Sequence, residues 1–194
     1  MPNMPTFFPL RVVLRDETPA VVRQIVPEDV MKFAEGVHRL SAESRVRRFF
    51  CDKTRLSGKE IQNLTQCDGQ MHFGFVLGIL GDDGNETDTV AVARCFRNRE
   101  KPSEGEAAVA TIDAWQRLGI GTILVQQLAR ACRALGVHTW KICEFTDNCA
   151  VRKIMAKIGS QSFEREIGSG ILESIYELRT RNGDSVSESI LPPA

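Results

Sequence analysis

The sequence has no apolar run long enough to cross a membrane, and it has no net charge, because 25 basic and 25 acidic residues cancel. A membrane-spanning helix needs about 20 consecutive apolar residues. A chain without an overall charge has no global attraction to nucleic acid or to an anionic membrane. The first ten residues also lack the charged start and apolar core of a signal peptide. We therefore expect a cytoplasmic protein with no nucleic-acid or membrane partner.

Cysteine and histidine are few, and their spacing is not that of a metal site. None of the six cysteines belongs to a CxxC pair, and several fall within apolar segments, where cysteine behaves as a small hydrophobic residue. The three histidines, His38, His72 and His138, lie far apart in the sequence. We expect reduced thiols and no metal ion.

Length and hydrophobic pattern predict one α/β domain. A chain of 194 residues, 42% of them hydrophobic, can bury one sizeable core but has little room for two. Strands are predicted at residues 20–26, 71–80, 89–96, 104–112, 139–145, 161–166 and 171–179, and helices at 27–40, 41–50, from about 57, at 120–135 and at 148–158. Because a long helix connects strands 104–112 and 139–145, these two should be parallel. Turn residues predict a hairpin between strands 71–80 and 89–96, and strands 161–166 and 171–179 are predicted to form a final antiparallel pair, so the sheet is mixed.

A glycine-containing segment, Gln116-Arg117-Leu118-Gly119-Ile120-Gly121-Thr122, follows a predicted strand and opens the long helix. Glycine lets the backbone approach a ligand closely. The first helical turn adds free N–H donors and the positive end of the helix dipole, so the segment suits a pyrophosphate, with Arg117 as a further cation. The P-loop and Rossmann patterns do not fit, because the Lys-Ser/Thr pair and the third glycine are missing.

This segment and its surroundings resemble the acyl-CoA-binding signature of the GNAT N-acetyltransferase superfamily. Asn148 follows Gly119 by 29 residues, the spacing at which that superfamily has an asparagine near the pantetheine arm. The segment RLSAESRVRRFF, residues 39–50, is similar to part of the GNAT domains of bacterial protein lysine acetyltransferases. The resemblance covers residues 20–180, so residues 1–19 are predicted to be an N-terminal extension and residues 181–194 a flexible tail.

The resemblance implies a single GNAT-like domain with a central mixed, mostly antiparallel sheet flanked by helices, in which two parallel strands splay apart around a thioester arm. It implies acetyl-CoA as cosubstrate and no metal. The residues predicted to bind the cosubstrate are Val109, Ala110, Thr111, Arg117, Leu118, Gly119, Ile120, Gly121, Thr122 and Asn148. The strand residues would act through their backbone N–H groups, which could polarise the thioester carbonyl. Asn148 is also a good helix cap, so a purely structural role stays open.

Glu106 is the predicted general base, because the resemblance implies a glutamate ten residues before Gln116. A lysine amine with a pKa of about 10.4 is charged near neutral pH, so a base must remove its proton. Partial burial is expected to make Glu106 a stronger base. From periodicity alone Glu106 could instead be a solvated carboxylate at a strand end, and Glu104 and His72 are competing candidates.

Other residues leave alternatives open. Met155 stands where many GNAT enzymes have a tyrosine that protonates the departing thiolate, so the general acid is unassigned. The basic residues of the segment 39–50 could bind an acidic substrate or the CoA 3′-phosphate, or could form a solvated helix face; they are Arg45, Arg47 and Arg48. Cys149 could form an acyl-enzyme, but no histidine lies near it in the sequence to generate a thiolate.

The prediction is an N-acetyltransferase that moves an acetyl group from acetyl-CoA to a primary amine by direct attack, with a protein lysine as the favoured acceptor. One alternative is an enzyme that acetylates a small-molecule amine. Another is an acyl-CoA-binding module without turnover, which Met155 favours. The sequence predicts neither the acceptor's identity, nor the acyl-chain preference, nor the oligomeric state.

Overall fold

A computed structural model describes residues 7–179, which form one eight-stranded sheet with helices packed on its two faces. The elements are β1 (Leu10–Val13), β2 (Pro19–Gln24), α1 (Val30–His38), α2 (Ala42–Phe49), α3 (Gly58–Thr65), β3 (His72–Leu80), β4 (Glu86–Arg97), β5 (Glu104–Thr111), α4 (Ile120–Ala134), β6 (Thr139–Phe145), α5 (Cys149–Ile158), β7 (Gly159–Gly168) and β8 (Ile171–Leu178). The strand order is β1-β2-β3-β4-β5-β6-β8-β7. Among these strands β5 and β6 are parallel, and every other neighbouring pair is antiparallel. The predicted mixed, mostly antiparallel sheet is confirmed.

Each face of the sheet buries its own apolar cluster. On β4, Ala91, Ala93 and Cys95 belong to the large cluster under α4, whereas Val92 packs with Phe33 of α1 and its neighbours. Successive side chains of a strand point to opposite faces, so α4 and α1 cover opposite sides of the sheet. No helix within residues 7–179 has the length and apolar character needed to span a membrane.

β5 and β6 separate soon after they pair. Their parallel register holds for Glu104 with Thr139, Gly105 with Trp140 and Glu106 with Lys141. β5 then continues to Thr111 and β6 to Phe145 with no further pairing between them. The splay that the resemblance implies is therefore present, and it opens a cleft in the middle of the sheet.

The N-terminal part of the sheet differs from the prediction. Residues 10–13, which were predicted to lie in an extension, form β1 and pair antiparallel with β2. The strand has only four residues, and none of them is fully buried. It therefore lacks the alternation of buried apolar and exposed polar side chains by which a strand is predicted from sequence. The sheet therefore begins before residue 20, while the predicted tail, residues 181–194, lies outside the part of the chain that is described.

Candidate functional site

The cleft between β5 and β6 widens into a cavity of about 910 Å³, a volume suited to a cofactor-sized ligand. Its walls come from α2, β5, the start of α4, β6 and α5. The residues predicted to bind the cosubstrate that line it are Val109, Ala110, Thr111, Arg117, Gly119, Ile120, Gly121, Thr122 and Asn148. Leu118 does not line the cavity but packs against the main apolar core.

The start of α4 presents backbone donors to the cavity. Gly119 is the N-cap in a left-handed conformation, with φ 89°, and Ile123 makes the first hydrogen bond of the helix to its carbonyl oxygen at 3.1 Å. The amides of the intervening residues therefore have no acceptor within the helix. No acidic side chain lies in the first turn. This end of α4 is a positively polarised group of donors that fits an anion such as a pyrophosphate.

Arg15 lies beside this helix end, and sequence reasoning missed it. Its guanidinium donates to the Arg117 carbonyl at 3.3 Å, and its backbone N–H donates to the Leu118 carbonyl at 3.4 Å. Arg15 lines the cavity together with Arg117. No sequence pattern indicated it, because Arg15 belongs to the segment that was predicted to be an extension.

The edge of β5 that faces the cleft offers backbone groups without strand partners. On its other edge β5 pairs with β4, through Ala91 with Thr111 and Ala93 with Val109. Beyond Glu106 the edge towards β6 is unpaired. Strand N–H and C=O groups need partners, so this edge can pair with the amides of an extended ligand.

Gly121 and Asn148 both have structural roles at the cleft. A Cβ atom at Gly121 would lie 3.1 Å from Cδ1 of Ile154, so α4 and α5 pack closely at this point. Asn148 is the N-cap of α5, and its Oδ1 accepts a hydrogen bond from the Val151 N–H at 3.4 Å. The capping role considered for Asn148 is therefore present, and its side-chain oxygen is engaged.

Glu106 lines the cleft, but its predicted partial burial is wrong because the residue is exposed. It lies between Phe96 of β4 and Lys141 of β6, and Lys141 is paired instead with Glu173 at 2.7 Å. Within residues 7–179 no cation forms an ion pair with Glu106. Its carboxylate is therefore open to the cleft.

The competing bases lie elsewhere. Glu104 is paired with Lys101 at 3.3 Å and does not line the cavity. His72 is buried with its ring stacked 4.0 Å from that of Phe96, and burial, followed by the charge of Arg94, lowers its pKa to about 4. It does not line the cavity either. Glu106 is thus the one of the three that faces the cleft.

Helix α2 lies across the cleft. On the β5 side, Asp113 accepts hydrogen bonds from the backbone and hydroxyl of Ser41 at 2.8 and 2.7 Å. On the β6 side, both terminal guanidinium nitrogens of Arg47 donate to Asp147, at 2.9 and 3.0 Å. Two of the three arginines considered as ligand-binding groups are thus used within the fold, because Arg45 also pairs with Asp52 at 2.7 Å. Arg48 is different and makes no hydrogen bond within residues 7–179.

The cavity has no tyrosine side chain, because Tyr176, the one tyrosine of the sequence, is buried outside it. Met155 is buried and lines the cavity at the position discussed above. Cys149 is exposed and touches Arg152, with 3.9 Å between Sγ and Nη2, while no histidine lines the cavity. Nothing at Cys149 therefore provides the base that an acyl-cysteine would need.

Comparison with known proteins gives consistent matches. The sequence model described as the Acetyltransferase (GNAT) family matches residues 38–159. The acetyltransferase Pat of Mycolicibacterium smegmatis is 28% identical over 162 residues, which are 82% of this chain and 46% of Pat, so the chain spans about half the length of that relative.

Solved structures agree with the family match. The GNAT domain of PAT from S. lividans superposes with a TM-score of 0.74 and 26% identity, over 88% of this chain and 97% of that domain. The acetyltransferase yncA of Salmonella typhimurium, solved with acetyl-CoA, shares the fold with a TM-score of 0.60 and 12% identity, over 87% of this chain and 99% of that one.

Proposed function

This chain belongs to the GNAT acetyltransferase family, and we propose that it transfers the acetyl group of acetyl-CoA to the side-chain amine of a protein lysine, with Glu106 as general base. The observation that carries the proposal is the cleft. One cavity is lined by the donor-rich start of α4, by the unpaired edge of β5 and by an exposed carboxylate that forms no ion pair within residues 7–179.

Two groups of residues fit acetyl-CoA. The free amides at the start of α4, with Arg15 and Arg117 beside them, would hold the pyrophosphate. The β5 edge from Val109 to Thr111 would pair with the amides of the pantetheine arm. A backbone N–H of the same edge would stabilise negative charge that develops on the thioester oxygen. The thioester supplies an activated acetyl group, so the protein has only to orient it and to provide a base.

Glu106 would remove the proton from the lysine ammonium group. The neutral amine then attacks the thioester carbon and the new C–N bond forms. The nitrogen releases its extra proton to solvent, the C–S bond breaks, and the departing thiolate takes a proton from solvent. An exposed Glu106 suits an acceptor that belongs to a folded protein, because a lysine side chain must reach it from a bulky partner. The similarity of residues 39–50 to protein lysine acetyltransferases supports the same acceptor class.

One observation favours an alternative without turnover. The cavity has no tyrosine to protonate the thiolate, since Met155 stands at the expected position and Tyr176 is buried elsewhere. In that case the chain would bind acyl-CoA and release no CoA. A small-molecule amine remains the alternative acceptor for an active enzyme.

The acceptor class is tested by measuring CoA release from acetyl-CoA with two separate pools, the desalted proteins and the small molecules of one cell lysate. We expect release with the protein pool and acetyl-lysine in that pool by mass spectrometry. Release with the small molecules alone would contradict the protein-lysine assignment. Binding of acetyl-CoA without release from either pool would contradict the enzymatic proposal.

A further inference from the structure

A second cavity, of about 70 Å³, lies between the sheet and the helices α1, α2 and α3. A site of this size holds a few water molecules or one small anion. Its wall is mostly apolar, with Phe33, Val37 and Leu64 among the lining residues. Two arginines also line it, Arg48 from α2 and Arg94 from β4. Guanidinium groups in an apolar wall require an explanation.

Arg94 is buried without a counter-charge. Its residue is 2% exposed, Nη1 donates to the Leu64 carbonyl at 3.0 Å, and its Cζ lies 5.0 Å from the centre of the Phe33 ring. Its Nε is buried and has no hydrogen-bond partner among residues 7–179. Burial, and then the charge of Arg48, lower the pKa of Arg94. Buried charges are normally paired, and no carboxylate of residues 7–179 pairs with this one.

Arg23 is a partly buried arginine of the same sheet that, unlike Arg94, is paired with carboxylates. Its Nε binds Glu86 at 2.6 Å, and its two terminal nitrogens bind Asp29 at 2.8 and 2.7 Å. Lys32, a third cation on the wall of the small cavity, also binds Glu86, at 2.6 Å. Arg94 donates to one backbone carbonyl, whereas Arg23 donates to two carboxylates, so Arg94 lacks the negatively charged partner that Arg23 has.

Arg48 connects this cavity with the acyl-transfer cleft. It lines both cavities, as do Leu40 and Ala110. Its guanidinium makes no hydrogen bond within residues 7–179. Burial lowers the pKa of Arg48, while the charge of Glu106 acts in the opposite direction. Glu106 and Ala110 lie on the same face of β5, since they are four residues apart along the strand.

We propose that Arg48 and Arg94 bind a carboxylate of a substrate whose reacting group lies in the adjoining cleft. A guanidinium matches a carboxylate with two parallel N–H···O bonds, so two arginines on one small cavity form a receptor for that group. The carboxylate belongs either to the acyl chain of a dicarboxylic acyl-CoA or to the acceptor. The part of the proposal that concerns substrates rests on the proposed transferase function, whereas the carboxylate site itself does not.

The site is tested first without turnover, by titrating the whole chain with acetate and with acetamide, its neutral isostere, at constant ionic strength. NMR or calorimetry should detect saturable binding of acetate and no binding of acetamide. Arg48→Gln should weaken acetate binding at least tenfold. Arg55→Gln, which removes an exposed positive charge that lines neither cavity, should leave acetate binding intact.

Equal responses to acetate and acetamide, or wild-type acetate affinity in a folded Arg48→Gln variant, would overturn the site. Because Arg94 is buried, Arg94→Met is used only if circular dichroism shows that it folds, and it should then also lose acetate binding. If wild-type protein binds acetate but transfers no acyl group to any acceptor, the carboxylate site stands and the proposed function fails.

Kinetics distinguish the two sources of the carboxylate. For a carboxylate on the acyl chain, the ratio of kcat/KM for succinyl-CoA to that for acetyl-CoA should fall at least tenfold in Arg48→Gln. For a carboxylate on the acceptor, the same fall should appear in the ratio between an acceptor with a free carboxylate and its amide. If neither ratio changes in an active Arg48→Gln variant, the assignment of the site to a substrate is overturned.

Discussion

Glu144 shows at the scale of one residue how burial changes an ionisable group. It lies on β6, its residue is 1% exposed, and neither carboxylate oxygen has a hydrogen-bond partner within residues 7–179. Burial raises the pKa of Glu144 to about 7, while the charge of Arg152 acts in the opposite direction. The folded protein therefore binds this proton more tightly than the unfolded chain does.

This difference predicts a pH-dependent stability. Since the pKa is 4.5 in the unfolded chain and about 7 in the fold, the free energy of unfolding falls as pH rises between these values and stays lower above pH 7. Glu144→Gln removes the effect and should raise the free energy of unfolding by roughly 3 kcal/mol at pH 8, with little change at pH 4. Urea denaturation at the two pH values measures it. Equal changes at both, or the same pattern in the exposed control Glu177→Gln, would contradict the account.

The role of a single residue could be predicted from the sequence in some cases and not in others. The resemblance gave Glu106 its candidate role, and the structure finds this residue facing the cleft. Its exposure, the burial of Glu144 and the isolation of Arg94 were not predictable, because each depends on which elements pack over the residue rather than on its neighbours in the chain. Arg15 was missed because the segment that contains it was predicted to lie outside the domain, whereas the fold brings it to the cavity.

At the scale of elements, hydrophobic periodicity predicted α4 well, because one face of the helix is buried continuously, with Ile120, Leu124 and Leu128 in the core. It predicted β1 poorly, since that strand is short and largely exposed. Hydrophobic periodicity also carries no information about the order of strands in a sheet. The position of β8 between β6 and β7 was therefore not predicted. Hydrophobic periodicity therefore predicted an element correctly where one of its faces is buried along its whole length, as in α4, and failed where no face is buried, as in β1.

The close packing of α4 against α5 predicts the effect of a larger residue at Gly121. Valine would bring its side chain against Ile154, whose Cδ1 lies 3.1 Å from even a first Cβ atom, and would displace the donor-rich start of α4. We expect Gly121→Val to weaken acetyl-CoA binding at least tenfold by calorimetry. Gly58→Val is the matched control, because a Cβ atom at Gly58 meets nothing within 4 Å. Undiminished binding by Gly121→Val would remove the start of α4 from the binding site.

The ion pair between Arg47 of α2 and Asp147 predicts an effect on the local mobility of α2. The pair of Arg47 and Asp147 is largely exposed to solvent, so its contribution to the free energy of unfolding should be small. Arg47→Gln should instead loosen α2 over the cleft and speed amide hydrogen exchange in residues 42–49. Arg39→Gln, which breaks an exposed pair with Asp88 away from the cleft, serves as control. Unchanged exchange in α2 would show that this bond does not hold the helix.

At the scale of the whole molecule, the cleft arises from segments far apart in the chain. Arg15 precedes β2, α2 lies in the first third of the sequence, and β5, α4, β6 and α5 follow in the second half. They meet because β5 and β6 pair over three residues and then separate, which leaves one strand edge and one helix end facing the same space. The parallel arrangement of β5 and β6 was predictable from the connecting helix. The separation of the two strands was implied only by the resemblance, and the point at which they separate was not predicted.

The central claim is that Glu106 acts as the base in this cleft, and the most direct test is CoA release from acetyl-CoA by wild-type protein and by Glu106→Gln, with acetyl-CoA binding measured on the same samples. We expect turnover to fall about 10²-fold or more in Glu106→Gln, with acetyl-CoA affinity nearly unchanged, because an amide cannot accept the proton. Glu104→Gln, two residues away and outside the cavity, should keep wild-type turnover. Undiminished turnover by Glu106→Gln would show that Glu106 is not the base.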